Sequence, residues 1–401
     1  MLLHLALLPF DESPVLDACR ELDAWRARLD HKGAFLRIWQ GRLRRDLEAE
    51  AVAASTSMEG VPVTVEEVRR ILAGDRPAEV SEADRSLVEG YRDAMGFVLR
   101  RADDPAYRWD RELLVGLHDR ILAGNWRDGA GRLRSEQRLV ANNQTGEVVF
   151  EPPPAELVAG LVDEMCQLVN LGFSHPAIAA AWIHIATAAI HPFRDGNGRT
   201  ARVLSSLAMY RGGFRRREFT SLEEWWGRHQ QDYYAAFLCL GREFRRDADV
   251  TQFIEAHVQA QLSQVRALDL RERVLRRIFT AMLELLDVAG FEHRVSNALW
   301  DAFFGSTVTA GYYRSVADVS PATATNDLVR ATAAGLLNAQ GERRGRRYTA
   351  SEALYDRIGT ILGIRIAGPP EVVRVQITSE ITNRIAQADR ERGQQGSLGD
   401  H

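Results

Sequence analysis

At 401 residues, 45% of them hydrophobic, the chain is long enough to bury a large core and to form two or three domains. A formal net charge of −4 argues against a chain whose main task is gripping nucleic acid, and no apolar run approaches membrane-spanning length. The cysteines Cys19, Cys166 and Cys239 are unclustered, which fits a reducing cytosol and excludes a zinc motif; with Lys32 as the only lysine, a Gly-Lys-Ser/Thr phosphate loop is excluded too. Met1 to Leu8 is apolar but lacks a basic flank and soon meets Asp11 and Glu12, a poor signal peptide, so a cytoplasmic protein is expected.

From about Val15 to Leu122 the chain reads as helices. Within them Leu47 to Met58 is helical, with Gly60 and Pro62 as its stop. Glu59 then falls at the wrong end of the macrodipole, unfavourable unless a cation compensates. Arg138 to Phe150 alternates apolar and polar residues around Asn142-Asn143-Gln144-Thr145-Gly146, a hairpin signal, and Glu151-Pro152-Pro153-Pro154 ends it.

Ile178 to Ile190 is almost wholly apolar and predicts a buried helix ending at His191, because Pro192 disfavours helical geometry before it. Gly196 and Gly198 permit backbone angles closed to other residues, so consecutive amides can converge as an anion nest. A second helix restarts at about Asn197, placing that nest at a helix N-terminus suited to phosphate. Arg199 and Arg202, three residues apart, are neighbours on one face with guanidinium forks that match phosphate oxygens. Asp195 is a hard oxygen ligand suited to Mg²⁺, and His191 suits proton transfer. His184, His191 and Asp195 also read as metal ligands, since the two histidines are two helical turns apart.

Leu262 to Val288 is a long charged helical pattern read as a linker. Ser320-Pro321 opens a helix through Ala334, Gly335-Leu336-Leu337 leads into a strand, and Gly341 to Tyr348 reads as a basic wing. Arg294 to Tyr348 thus has the layout of a winged helix-turn-helix. Thr323, Thr325 and Asn326 would face bases if it bound DNA, although Asp327 and the single Arg330 are a poor electrostatic footprint. The other reading is a dimerisation or target-docking module. The polar stretch Gln387 to His401 is expected to be disordered.

The string His191-Pro192-Phe193-Arg194-Asp195-Gly196-Asn197-Gly198-Arg199-Thr200-Ala201-Arg202 resembles the Fic family signature H-P-F-x-[DE]-G-N-G-R-x-x-R at every specified position. Ser55-Thr56-Ser57-Met58-Glu59-Gly60 is similar to the inhibitory pattern [ST]-x-x-x-E-[GN] of the class with an N-terminal inhibitory helix. The resemblance implies transfer of AMP from ATP to a Ser, Thr or Tyr hydroxyl of a target protein or of the chain itself. His191 would be the catalytic base and Asp195 the Mg²⁺ ligand. Gly196, Asn197, Gly198 and Arg199 would hold the phosphates and Arg202 the γ-phosphate. Glu59 would inhibit by pairing with Arg202. It further implies that the hairpin near 142–150 is a flap on which the target docks as an added strand, with Val148 and Val149 near the nucleotide. Tyr233 and Tyr234 would lie near the adenine; the polar residue that follows such a pair in the family is replaced here by Gly241.

The expected fold is mainly α: a Fic-type helical bundle with a β-hairpin flap, a linker helix and a winged helix domain. Its parts are an N-terminal helical region 1–121, a catalytic domain 122–260, a linker 261–292, a winged helix 293–365 and a tail 366–401. Removal of AMP with Glu59 positioning a water, and a nucleotide-sensing DNA-binding regulator, are the alternative functions. A homodimer is possible, DNA is a weaker expectation as partner, and no membrane association is expected.

Overall fold

The structure, a computed structural model, describes residues 2–3, 7–31, 48–72, 74–104, 106–141, 145–215, 222–342 and 345–397. The proposed hairpin tip at Asn142, Asn143 and Gln144 and the wing residues Arg343 and Arg344 lie outside them. The chain divides into two compact units, residues 1–266 and 267–401. Among the described residues no helix is long and apolar enough to cross a membrane.

The first unit is helical: α1 (Leu16–His31), α2 (described over 48–57), α3 (Val65–Leu72), α4 (Glu82–Arg101), α5 (Arg111–Ile121), α6 (Ala155–Leu171), α7 (Pro176–Ile190), α8 (Asn197–Arg211), α9 (Leu222–Arg228) and α10 (Gln230–Ala236). Helix α11 (Thr251–Val288) enters the second unit after Arg266. The expected regions 1–121 and 122–260 share one hydrophobic core.

Helix α7 is the centre of that core because it is apolar on every face, as a fully surrounded helix must be. Pro176 at its first turn and the His175 side chain, which accepts the Ala177 amide, fix its start. It packs along α8 more extensively than any other helix pair, and α4, α5 and α6 close the sides. Asp110 caps α5 by accepting the Leu113 amide at 2.8 Å. The hairpin pairs β1 (Val140–Ala141) antiparallel with β2 (Val148–Phe150), Val140 opposite Phe150 and Ala141 opposite Val148 across an irregular register. Phe150 is buried, whereas Val148 and Val149 are exposed.

The second unit contains α12 (Ser296–Phe303), α13 (Ala310–Ala317), α14 (Pro321–Ala333), α15 (Glu352–Leu362) and α16 (Pro370–Ser397). A three-stranded antiparallel sheet orders β3 (Val308–Thr309), β5 (Arg347–Ala350) and β4 (Leu337–Gln340), with β5 in the middle. Ser320 caps α14, accepting the Thr323 amide at 3.1 Å. Asp327 is buried and paired with Arg294 at 2.8 Å, and Tyr313 donates to it at 2.9 Å, so it is no surface charge. Thr325 and Asn326 are exposed.

The tail differs from expectation: Gln387 to Ser397 continues α16. Val373, Ile377, Ile381 and Ile385 recur every four residues and are all buried, an apolar stripe strong enough to hold the polar sequence around it helical. Arg273 and Asp389 add an ion pair at 2.6 Å.

Candidate functional site

Helix α7 ends at His191, which adopts left-handed backbone angles, φ 49° and ψ 58°, while its amide still reaches the Thr187 carbonyl at 3.0 Å. A non-glycine residue is unfavourable there unless its surroundings insist on it. Arg134 does the insisting. Its buried guanidinium donates to the His191 carbonyl at 2.9 Å and to the Pro153 carbonyl, and its amide donates to the Pro192 carbonyl at 2.9 Å. Burial, then the nearby Arg134 charge, pushes the His191 imidazole down to about 4, so it is neutral and free to accept a proton near neutral pH.

The loop to α8 is clamped from both sides. Phe193 is fully buried and stacks on His118 with ring centroids 3.7 Å apart. His118 accepts the Gly131 amide on Nδ1 at 3.1 Å, which fixes the tautomer, so its Nε2–H donates to the Asp195 carbonyl at 2.8 Å. Burial foremost holds this imidazole down at about 4. Asn197 is nearly buried, and its carboxamide spans the loop, accepting the Phe193 amide and donating to the Phe193 carbonyl, each at 2.9 Å. Toward an anion Asn197 therefore offers its backbone amide, not its side chain.

The two loop glycines serve different ends. Gly196 has φ 75° and turns the chain into α8, as expected. Gly198 is helical, and what it supplies is space: a Cβ there would overlap Glu59 Oε1. The first turn of α8 leaves the amides of Asn197, Gly198 and Arg199 without helical acceptors, at the positive end of its dipole. Arg199 is 2% exposed, with Nη2 3.6 Å from Asp195 Oδ2. Its Nε and Nη1 have no hydrogen-bond partner among the described residues. Buried donors of this kind are costly unless an anion takes them. Asp195 accepts the Gly196 amide on Oδ1 at 2.6 Å and is otherwise largely exposed.

Arg202 is likewise buried, 3% exposed, and its donors are engaged. Nη2 donates to Glu59 Oε1 at 2.8 Å and to the Ser55 carbonyl at 3.0 Å, and Nε donates to Ser55 Oγ at 2.9 Å. Glu59 follows α2, at the end where Gly60 takes φ 83°. The cation that its helix-end position required is Arg202. Glu59 and the Gly198 surface thus occupy one place, directly over the first turn of α8.

Tyr233 and Tyr234 separate. Tyr233 is buried, and its hydroxyl contacts Arg202 Nη1 at 3.4 Å and His184 Nε2 at 3.1 Å, so it braces the arginine from behind. Tyr234 is half exposed and donates to the Met58 carbonyl at 3.3 Å. His184 packs in the core against Phe253 and His257. No group of three His, Cys, Asp or Glu side chains is placed to hold a metal among the described residues, which removes the metal-ligand reading of His184, His191 and Asp195. Arg134 and His118 carried no sequence signal, being single polar residues outside any pattern.

Burial pushes His184 well below its ordinary value and His257 down to about 3. An unfolded histidine titrates near 6.5, so between pH 6.5 and 3 the unfolded chain binds more protons than the folded one. Stability is then lost as pH falls through that window, by about 2 kcal/mol from His257 alone between pH 6.5 and 5. Urea midpoints at pH 7 and pH 5 should show this loss, and His257→Gln should reduce it. An unchanged loss in the variant would mean that His257 takes no part.

Residues 108–209 match the Fic/DOC family model. A 101-residue stretch, 25% of the chain, is 34% identical to "Protein adenylyltransferase Fic" of Nematostella vectensis and covers 23% of that protein. Relatives from Caenorhabditis briggsae and Caenorhabditis elegans are 36% and 34% identical and are covered over 19% of their length, so the match reaches at most about a quarter of these curated proteins. In fold, the chain resembles a Fic family protein from Desulfovibrio desulfuricans, with a TM-score of 0.53 and 21% identity, covering 84% of this chain and 96% of that one. A Fic domain-containing signalling protein from Bacteroides thetaiotaomicron gives 0.54 at 22% identity, over 63% of this chain and 94% of that one. His118, Arg134 and the loop from His191 to Arg202 all fall inside the segment that matches the Fic/DOC family model.

Proposed function

We propose that the chain transfers AMP from ATP to a protein hydroxyl and that Glu59 holds this activity down. The observation that carries the reading is the contrast between two buried arginines on the opening turns of α8. Arg199 has two donors without a partner among the described residues, and Arg202 is closed by a carboxylate that lies against Gly198. Phosphates at this helix end would meet the free amides, Arg199 and, once Glu59 has withdrawn, Arg202. His191, neutral and held at the mouth of the loop, would take the proton from an attacking hydroxyl. Relatives named as protein adenylyltransferases support this assignment.

Asp195 suits a hard cation: one carboxylate oxygen is engaged by the Gly196 amide, and the side chain is open to solvent. Asp195 would hold Mg²⁺ with water and phosphate oxygens as further ligands, and the ion would neutralise charge on the phosphates. The flap edge, with Val148 and Val149 exposed, would take the target backbone. Residues 293–365 are read as a winged helix because a capped helix, α14, is followed by a two-stranded hairpin paired to a short third strand. Burial of Asp327 removes one negative charge from that helix's surface, yet Arg330 is engaged with the Phe291 ring, so the helix offers DNA little charge and protein docking is favoured.

Incubation with α-labelled ATP and Mg²⁺ should place label on protein. The Asp195→Ala chain should lose transfer by about a hundredfold or more, as should the wild-type chain in chelator. Transfer that survives either treatment would remove Asp195 from metal binding. No label with any nucleoside triphosphate, on the Glu59→Gly chain as well as the wild type, would overturn the transferase reading.

A further inference from the structure

Behind Arg202 a line of buried polar groups runs away from the proposed nucleotide site. Arg202 Nε donates to Ser55 Oγ at 2.9 Å, Ser55 lies close enough to the Tyr91 hydroxyl to act on its acidity, and Tyr91 donates to Glu223 Oε1 at 2.7 Å. The direction is fixed at both ends, because a guanidinium can only donate and a carboxylate only accept. All four residues are essentially buried, at 3%, 0%, 1% and 2% exposure. They come from four elements: Ser55 from α2, Tyr91 from α4, Arg202 from α8 and Glu223 from α9. Glu223 Oε2 has no partner among the described residues, and Glu223 lines a small cavity shared with Arg202, His184, His257 and Gln261.

A buried carboxylate needs a reason, since taking a charge out of water costs more than hydroxyl hydrogen bonds return. Burial raises the Glu223 carboxyl, while the Tyr91 hydrogen bond and the Arg202 charge oppose that rise. Arg202 has the mirror problem. When Glu59 withdraws, it loses its only ion-pair partner among the described residues, and an uncompensated buried guanidinium would shift or draw in water. Glu59 is partly exposed, whereas Ser55 and Thr56 at the end of α2 are fully buried.

We propose that Glu223 is a second counter-anion of Arg202, acting through Tyr91 and Ser55, and that it keeps the guanidinium aimed at the γ-phosphate position after Glu59 has left. Glu223 is a positioning residue here, touching no substrate. This rests on the reading of Arg202 as the γ-phosphate ligand, and the test separates the two. Full-length chain carrying Glu59→Gly and His191→Ala, which exposes the site without consuming nucleotide, is titrated calorimetrically with Mg²⁺-ATP and with Mg²⁺-ADP. Adding Glu223→Gln should weaken ATP about tenfold and leave ADP within about twofold, because only ATP reaches Arg202. General loosening of the fold would weaken both nucleotides alike, and that result, or no change in either, overturns the proposal. Arg202→Ala in the same background is the control. If it weakens ATP and ADP equally, the γ-phosphate reading fails and the proposal with it; if it is selective for ATP and Glu223→Gln is not, only the proposal fails. Should Glu223→Gln not fold, Tyr91→Phe, which removes one oxygen from the chain, must give the same ATP-selective loss, and ATP binding equal to the background overturns the proposal.

Discussion

Glu59→Gly is expected to raise AMP transfer by tens to hundreds of fold, on the target or on the chain itself. The carboxylate is 2.8 Å from a guanidinium that is 3% exposed, and it fills the approach over Gly198. Two effects oppose each other when it is removed. A buried arginine loses its ion-pair partner, which weakens the fold locally, and the phosphate site opens, which speeds transfer. The second should win, because the γ-phosphate returns to Arg202 the negative charge that Glu59 supplied. A pair of this kind can conceal a few kcal/mol, the equivalent of tens to hundreds of fold in rate. The gain should be non-additive with Arg202→Ala: once the arginine is gone, removing Glu59 should gain nothing. Label transfer measured for the two single variants and the double closes the cycle. An unchanged rate in Glu59→Gly would mean that the pair only ends a helix, and a loss confined to removal of AMP from modified protein would favour the hydrolytic alternative in which Glu59 positions a water.

For His191→Ala, transfer should fall by roughly a hundredfold or more while ATP binding stays near that of the parent, the usual size of a missing general base. The pH profile supplies an independent reading. With the imidazole at about 4 in the free chain, the base is active above that value and protonated below it, so kcat/KM should hold as pH falls past 6.5 and be lost near pH 4. Nucleotide phosphates beside the ring favour the imidazolium, so the acid limb of kcat should lie higher than that of kcat/KM. Lost nucleotide binding with retained transfer would reduce His191 to part of the cradle.

What the amino-acid sequence made legible depended on local pattern. The helix stop before Pro192, the turn at Gly196, the end of α2 at Gly60 and the cap at Ser320 are decided by residues adjacent in the chain, and all are where those residues put them. Pairing of Glu59 with Arg202 was legible only through the family resemblance, since the two are 143 residues apart. Contacts made by isolated polar residues were not legible. Arg134 grips His191, His118 fixes the carbonyl of Asp195, and Tyr233 turns inward to Arg202. Nothing near them in sequence distinguishes them from surface residues. The helix at the C-terminus was hidden differently, a row of β-branched residues four apart diluted by polar neighbours.

The loop between α7 and α8 joins opposite poles. Helix α7 delivers its carbonyl end at Ile190, and α8 starts its amide end at Asn197, so a negative and a positive backbone terminus face one small volume. Such a field comes from peptide groups and not from side chains, and no substitution at His191, Asp195 or Arg202 abolishes it. It favours a proton at the imidazole end and an anion at the glycine end. The two products of deprotonating a hydroxyl beside a phosphate are thereby drawn apart by the backbone, and the side chains sharpen a polarity that two antiparallel helices already impose.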